Sequence, residues 1–78
     1  MNDYGRLIEF AGRIKNEIRD YYEECLYHPD MQSAYVKTVE RMHGKIHALC
    51  EFAGFAYGVS EKRFYEDVER SSLRIEAA

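Results

Sequence analysis

Apolar residues recur along the chain with the three- and four-residue spacing that is typical of amphipathic helices. The first series consists of Tyr4, Leu7, Ala11, Ile14, Ile18, Tyr21 and Cys25. The second series consists of Tyr35, Val39, Met42, Ile46, Leu49, Ala53 and Ala56. Each series covers three heptads, and Pro29 between them is a strong helix breaker. The pattern predicts two long helices, helix 1 over residues 3–27 and helix 2 over residues 31–57, packed along a narrow apolar seam.

The two series also match each other as the two helices of an antiparallel hairpin. Facing residues in such a hairpin have a constant sum of residue numbers. The pairs from Tyr4 with Ala56 to Cys25 with Tyr35 all give 60. Large side chains then often face small ones, as interdigitated packing requires. The sequence therefore predicts an all-α fold built on a long hairpin.

A shorter third helix is predicted over about residues 61–75. Gly58 is expected to end helix 2, because glycine readily adopts the left-handed conformation, and Ser60 is expected to cap the next helix. The apolar stripe of this helix is formed by Phe64, Val68 and Ile75. Ser71 and Ser72 are expected to weaken its second half.

Many apolar residues lie outside the predicted seam. They are Ile8, Phe10, Tyr22, Val36, Cys50, Phe52, Phe55 and Tyr57. The third helix is expected to cover some of them, most easily around residues 52–57. The remainder predicts a homodimer that forms a larger helical bundle, or a surface kept for another protein.

Length and charge narrow the functional classes. The 78 residues are predicted to form one domain, residues 1–78, and so short a chain has a marginal core of its own. The net charge is −3 and no segment is strongly basic, so the chain has no basic surface to bind a phosphate backbone. We therefore do not expect direct nucleic-acid binding. The N-terminus lacks a signal-peptide layout, and no apolar run approaches the roughly 18 residues of a membrane span. We expect a soluble cytoplasmic protein.

Five soft ligands occur in the middle of the chain: Cys25, His28, His43, His47 and Cys50. Helical spacing places His43, His47 and Cys50 on one side of helix 2, where they are candidates for a three-ligand metal site. Cysteine beside an apolar seam is more often a small buried residue, so we favour an interface edge here and expect no metal and no cofactor.

Residues 52–68 raise the alternative of a DNA-binding regulator. The segment FAGFAYGVSEKRFYEDV resembles the turn of a helix-turn-helix motif, with Gly58 after a helix and Phe64 as an apolar anchor. Asp67 occupies the position at which the motif has a second apolar anchor. The would-be recognition helix, residues 61–70, carries three basic and four acidic side chains, which phosphates would repel.

The sequence contains none of the common catalytic or nucleotide-binding motifs. The segment GVSEKRFYEDVERSSLRIE, about a quarter of the chain, resembles the last helix of all-helical chorismate mutases. That resemblance implies an enzyme that binds a dicarboxylate with arginines and a lysine reaching into a bundle pocket. The two long helices show no inward basic cluster, and we expect a protein that is not an enzyme.

The segment RDYYEECLYHPD, residues 19–30, is the strongest candidate interface, because exposed tyrosines beside charges often anchor protein contacts. The predicted interface residues are Tyr21, Tyr22, Glu23 and Tyr27, together with Phe52, Phe55 and Tyr57 in the second half of the hairpin. Neighbouring acidic residues favour a partner with a basic surface. We therefore predict a non-enzymatic protein-binding module, an adaptor or an inhibitor of a larger protein machine, of a type frequent among phage and mobile-element accessory proteins. A helix-turn-helix regulator and a small-ligand or metal-binding bundle are the alternatives.

Overall fold

The computed structural model describes residues 2–77, and these residues form three α-helices. Helix α1 spans Asp3–Tyr27, a 3-10 turn spans Pro29–Met31, α2 spans Gln32–Tyr57 and α3 spans Glu61–Ala77. The predicted all-α class and the hairpin with a third helix are confirmed. Helix α3 runs two residues beyond its predicted end.

The helix ends follow from local hydrogen bonding. The Asn2 side chain accepts a hydrogen bond from the Gly5 amide at 2.5 Å and caps α1. Gly58 adopts a left-handed conformation with φ of +66°, and its amide bonds to the Gly54 carbonyl, which ends α2 as predicted. The Ser60 hydroxyl accepts from the Arg63 amide at 3.1 Å and satisfies a free donor at the start of α3.

The core contains residues of both predicted apolar series and of the α3 stripe. Its buried members are Ile8, Ala11, Ile14, Ile18, Val39, Ile46, Cys50, Ala53, Phe64 and Val68. Aromatic pairs lie near each end of the hairpin: Tyr4 meets Tyr57 at 5.5 Å, and Tyr21 meets Tyr35 at 5.7 Å. Ala56, the predicted partner of Tyr4, is exposed.

Small and polar residues join α3 to α1. Gly12 lies so close to α3 that an added Cβ would stand 2.9 Å from the Ser71 hydroxyl and 3.1 Å from the Ser72 amide nitrogen. Ser72 is fully buried and donates a 2.6 Å hydrogen bond to the Asn16 side chain. Asn16 returns a 3.2 Å bond to the Ser72 carbonyl. The two serines therefore lie at a close contact between α1 and α3, and α3 continues past them to Ala77.

Helix α3 packs mainly along α1 of its own hairpin. This packing decides which apolar residues α3 covers. Ile8 and Cys50, both outside the predicted seam, are buried in the core with Phe64. Phe52 and Phe55 stay exposed, so the expectation that α3 covers the end of α2 is wrong. The bonds to Asn16 and the close contact at Gly12 hold α3 against α1 instead.

Within residues 2–77, no helix combines the length and the apolar character that crossing a lipid bilayer would require.

Candidate functional site

Exposed apolar side chains are concentrated at the closed end of the hairpin. We define the tip surface as the exposed side chains of residues 20–36. Its large apolar members are Tyr22, Leu26, Tyr27, Met31 and Val36. Leu26 and Tyr27 are the most open of these, with 79% and 78% of their surface exposed. A concentration of exposed apolar side chains of this kind is typical of an interaction site.

The same surface carries only negative formal charge at neutral pH. Asp20, Glu23, Glu24 and Asp30 are all exposed, and residues 20–36 contain neither lysine nor arginine. His28 Nε2 lies 3.5 Å from Glu24 Oε2, and Arg19 and Lys37 are the basic residues that flank this segment in the sequence. Apolar anchors and four carboxylates therefore occupy one end of the molecule.

The predicted interface residues of this region divide into two groups. Tyr22, Glu23 and Tyr27 lie exposed on the tip surface. Tyr21 is half-buried against Tyr35 and supports the hairpin from inside. Leu26 and Met31 were not predicted as interface residues. Both are apolar residues outside the periodic series, and that position was the sequence signal for an exposed apolar side chain.

A second apolar surface lies at the other end of the hairpin. We call Phe52, Phe55 and Tyr57 the α2-end surface. Phe55 is 90% exposed, and Phe52 and Tyr57 are also exposed. Tyr57 links this surface to the core, because its ring packs edge-on against Phe52 at 6.2 Å and against Tyr4 at 5.5 Å. All three residues were predicted interface residues, and Phe55 stands furthest into solvent.

A cleft of about 350 Å³ is lined by residues of all three helices. Its lining residues are Lys15, Ile18, Arg19, Tyr22, His43, Ile46, Tyr65 and Val68. Lys15 and Arg19 bring two basic groups to the rim of this cleft, and each pairs with a glutamate of α3. Burial, together with the neighbouring Arg19 guanidinium, lowers the pKa of Lys15.

The three metal candidates of α2 are placed in different surroundings. His43 lines the cleft, His47 points outward and lies 3.0 Å from Glu51, and Cys50 is buried in the core. Burial raises the pKa of the Cys50 thiol and so opposes the thiolate form that a metal needs. Among residues 2–77, the structure forms no group of three or more histidine, cysteine or carboxylate side chains suited to a metal ion.

Comparison of the chain with protein-family models, with curated proteins and with solved structures finds no match. The chemistry of the surfaces and of the cleft is therefore the basis for assigning a function.

Proposed function

We propose that the protein is a non-enzymatic binding module, an adaptor or an inhibitor, whose tip surface binds a basic patch on a larger protein. One observation carries the proposal. Within residues 20–36, five exposed large apolar side chains stand among four carboxylates, with no lysine or arginine to neutralise them.

The two kinds of side chain contribute differently to such binding. Tyr27 and Leu26 supply apolar area that becomes buried against the partner, as anchor residues do at the centre of interfaces. Glu23 and Glu24 attract a basic surface and set the orientation of the encounter more than they add affinity. Helices α1 and α2 hold the anchors on a rigid support, which limits the ordering cost of binding.

We also propose that the protein forms a homodimer, and the α2-end surface supports this. Phe52 and Phe55 are exposed side by side on the last turns of α2, and burying them against a second copy would remove apolar surface from water. A two-fold contact would repeat the same residues on both chains. Because this surface and the tip surface lie at opposite ends of the hairpin, a dimer would present two tips and gain avidity for a repeated partner.

The helix-turn-helix alternative has weaker support. Helix α2 is one uninterrupted helix of 26 residues, whereas that motif positions its reading helix with a short preceding helix. In α3, Glu61, Glu66 and Glu69 are exposed beside the basic side chains and would face DNA phosphates.

A comparative capture experiment tests the partner-binding proposal. The tagged chain and its variants Tyr27→Ser and Glu23→Lys are used to capture proteins from extracts of the organism that encodes it. The matched controls are Leu73→Ser and Glu66→Lys, which alter an exposed leucine and an exposed glutamate of α3, away from both surfaces. We expect a protein that the wild type and both controls retain, that both tip variants lose, and whose retention weakens as salt rises.

The purified captured protein should then bind the purified chain with the same order among the variants. Equal retention by the tip variants and the controls, with circular dichroism showing that all are folded, would contradict the proposal.

A further inference from the structure

The cleft between the three helices has a floor and a rim of different chemistry. The floor is formed by the buried side chains of Ile18, Ile46 and Val68, one from each helix. Aromatic rings of Tyr22 and Tyr65 stand at its sides. The cleft volume of about 350 Å³ falls at the lower end of the range of small-molecule sites, about 300–1,000 Å³.

The rim of the cleft is basic. Lys15 and Arg19 lie one turn apart on α1, and His43 adds an imidazole from α2, while no carboxylate is among the lining residues. Lys15 pairs with Glu69 and Arg19 with Glu76, both on α3. Arg19 is also fixed by hydrogen bonds to Asn16 at 2.6 Å and to Ser72 at 3.1 Å, so its guanidinium is already positioned at the rim.

Both cations therefore stand at the same rim of the cleft. Burial first, and then the positive charge of the neighbouring Arg19, lowers the pKa of Lys15. An anion bound between the two groups would favour the charged form of Lys15. A bound group must also satisfy the apolar floor, which a small inorganic anion does not.

We propose that this cleft binds a small apolar monocarboxylate, with its hydrocarbon or aryl body on Ile18, Ile46 and Val68 and its carboxylate between Lys15 and Arg19. The site is separate from the partner-binding proposal, although Tyr22 belongs both to the cleft and to the tip surface. Its test therefore leaves Tyr22 unchanged and uses residues remote from Leu26 and Tyr27.

The test is a titration followed by backbone amide signals in two-dimensional NMR. The probes are 4-phenylbutanoate, its neutral amide 4-phenylbutanamide, and butanoate, which keeps the charge but lacks the ring. We expect 4-phenylbutanoate to shift the signals of Ile18, Ile46 and Val68 to saturation. The neutral amide should bind about tenfold more weakly, since it loses the charge-assisted hydrogen bonds, and butanoate should not saturate the site.

A matched pair of lysine variants locates the carboxylate. Lys15→Met keeps the aliphatic stem and removes the charge, and should weaken 4-phenylbutanoate binding about tenfold. Lys62→Met removes an exposed lysine of α3 outside the cleft and should leave binding unchanged. The proposal is overturned by any of three results: no saturable shift of the floor residues, equal affinity for acid and amide, or unchanged binding in Lys15→Met.

Discussion

The Tyr4 hydroxyl donates a 2.6 Å hydrogen bond to Asp67 Oδ2 and so joins the first turn of α1 to the middle of α3. Arg63 Nε donates to the same oxygen at 3.1 Å. Burial, and then the bond to Asp67, raises the pKa of Tyr4 to about 12. Burial alone would raise the pKa of Asp67, but the hydrogen bonds from Tyr4 and Arg63 and the charges of Arg63 and Arg70 lower it below its ordinary value.

Replacing Tyr4 by phenylalanine is expected to destabilise the fold by about 1–2 kcal/mol, because a bond to a charged acceptor is lost while the ring contact with Tyr57 is kept. The free energy of unfolding is measured by urea denaturation. Tyr27→Phe, at the exposed tip, is the control and should leave stability unchanged.

The same variant should change the pH dependence of stability at both ends of the scale. Since folding raises the pKa of Tyr4, its contribution is present below about pH 10 and is lost as pH rises toward 12. Since folding lowers the pKa of Asp67, its contribution is present above about pH 4 and is lost as pH falls through the folded-state pKa. Tyr4→Phe should show a smaller loss than Tyr27→Phe at both ends; equal losses would contradict this role.

A second prediction concerns the close approach of α1 and α3 at Gly12. Gly12→Ala should destabilise the protein by about 1–3 kcal/mol, because the added Cβ would stand 3.1 Å from the Ser72 amide nitrogen and force the helices apart. Gly44→Ala is the matched control, since nothing lies within 4 Å of its added Cβ and alanine favours a helix interior. It should stabilise by about 0.5–1 kcal/mol. Two variants of equal stability would show that the contact is looser than described.

A third prediction separates the two adjacent buried serines. The Ser71 hydroxyl is buried without a hydrogen-bond partner, so Ser71→Ala should leave stability unchanged or raise it by about 1 kcal/mol. The Ser72 hydroxyl bonds to Asn16 and Arg19, so Ser72→Ala should destabilise by about 1–3 kcal/mol. Thermal and urea unfolding of the two variants measure the difference, and the opposite order would contradict the polar network.

The apolar spacing was sufficient to predict the hairpin, because a stripe of residues such as Ile14, Ile18 and Ile46 is buried wherever two long helices pack. Gly58 and Ser60 marked the end of α2 and the start of α3 through their own backbone and hydroxyl chemistry. These features depend on neighbouring residues in the chain, so they can be predicted from a single sequence.

The docking of α3 was not predictable in the same way. It depends on Gly12, Asn16, Ser71 and Ser72, which a hydrophobic pattern assigns to a surface. The burial of Gly12, Ser71 and Ser72 follows from the close approach of two backbones, which is a property of the packed structure. The cleft escaped prediction for a related reason, since the long stem of Lys15 gives no sequence signal of where its ammonium group lies.

A fourth prediction concerns self-association through the α2-end surface. Light scattering should find a dimer for the wild type and a monomer for Phe55→Glu, because a buried unpaired carboxylate opposes the contact. Leu73→Glu, at an exposed position of α3, is the control and should remain dimeric. A monomeric wild type at millimolar concentration would refute the proposed homodimer. It would not affect the proposal that the tip surface binds a larger protein.

Site-specific photo-crosslinking in the native cell shows whether the tip surface contacts a larger protein. A photoreactive phenylalanine analogue replaces Tyr27 in one strain and Leu73 in another, both of which are exposed. Illumination should join position 27 to one other protein, identified by mass spectrometry, with no such adduct from position 73. Absence of a specific adduct at position 27, or the same adducts from both positions, would show that the tip surface is not the binding surface.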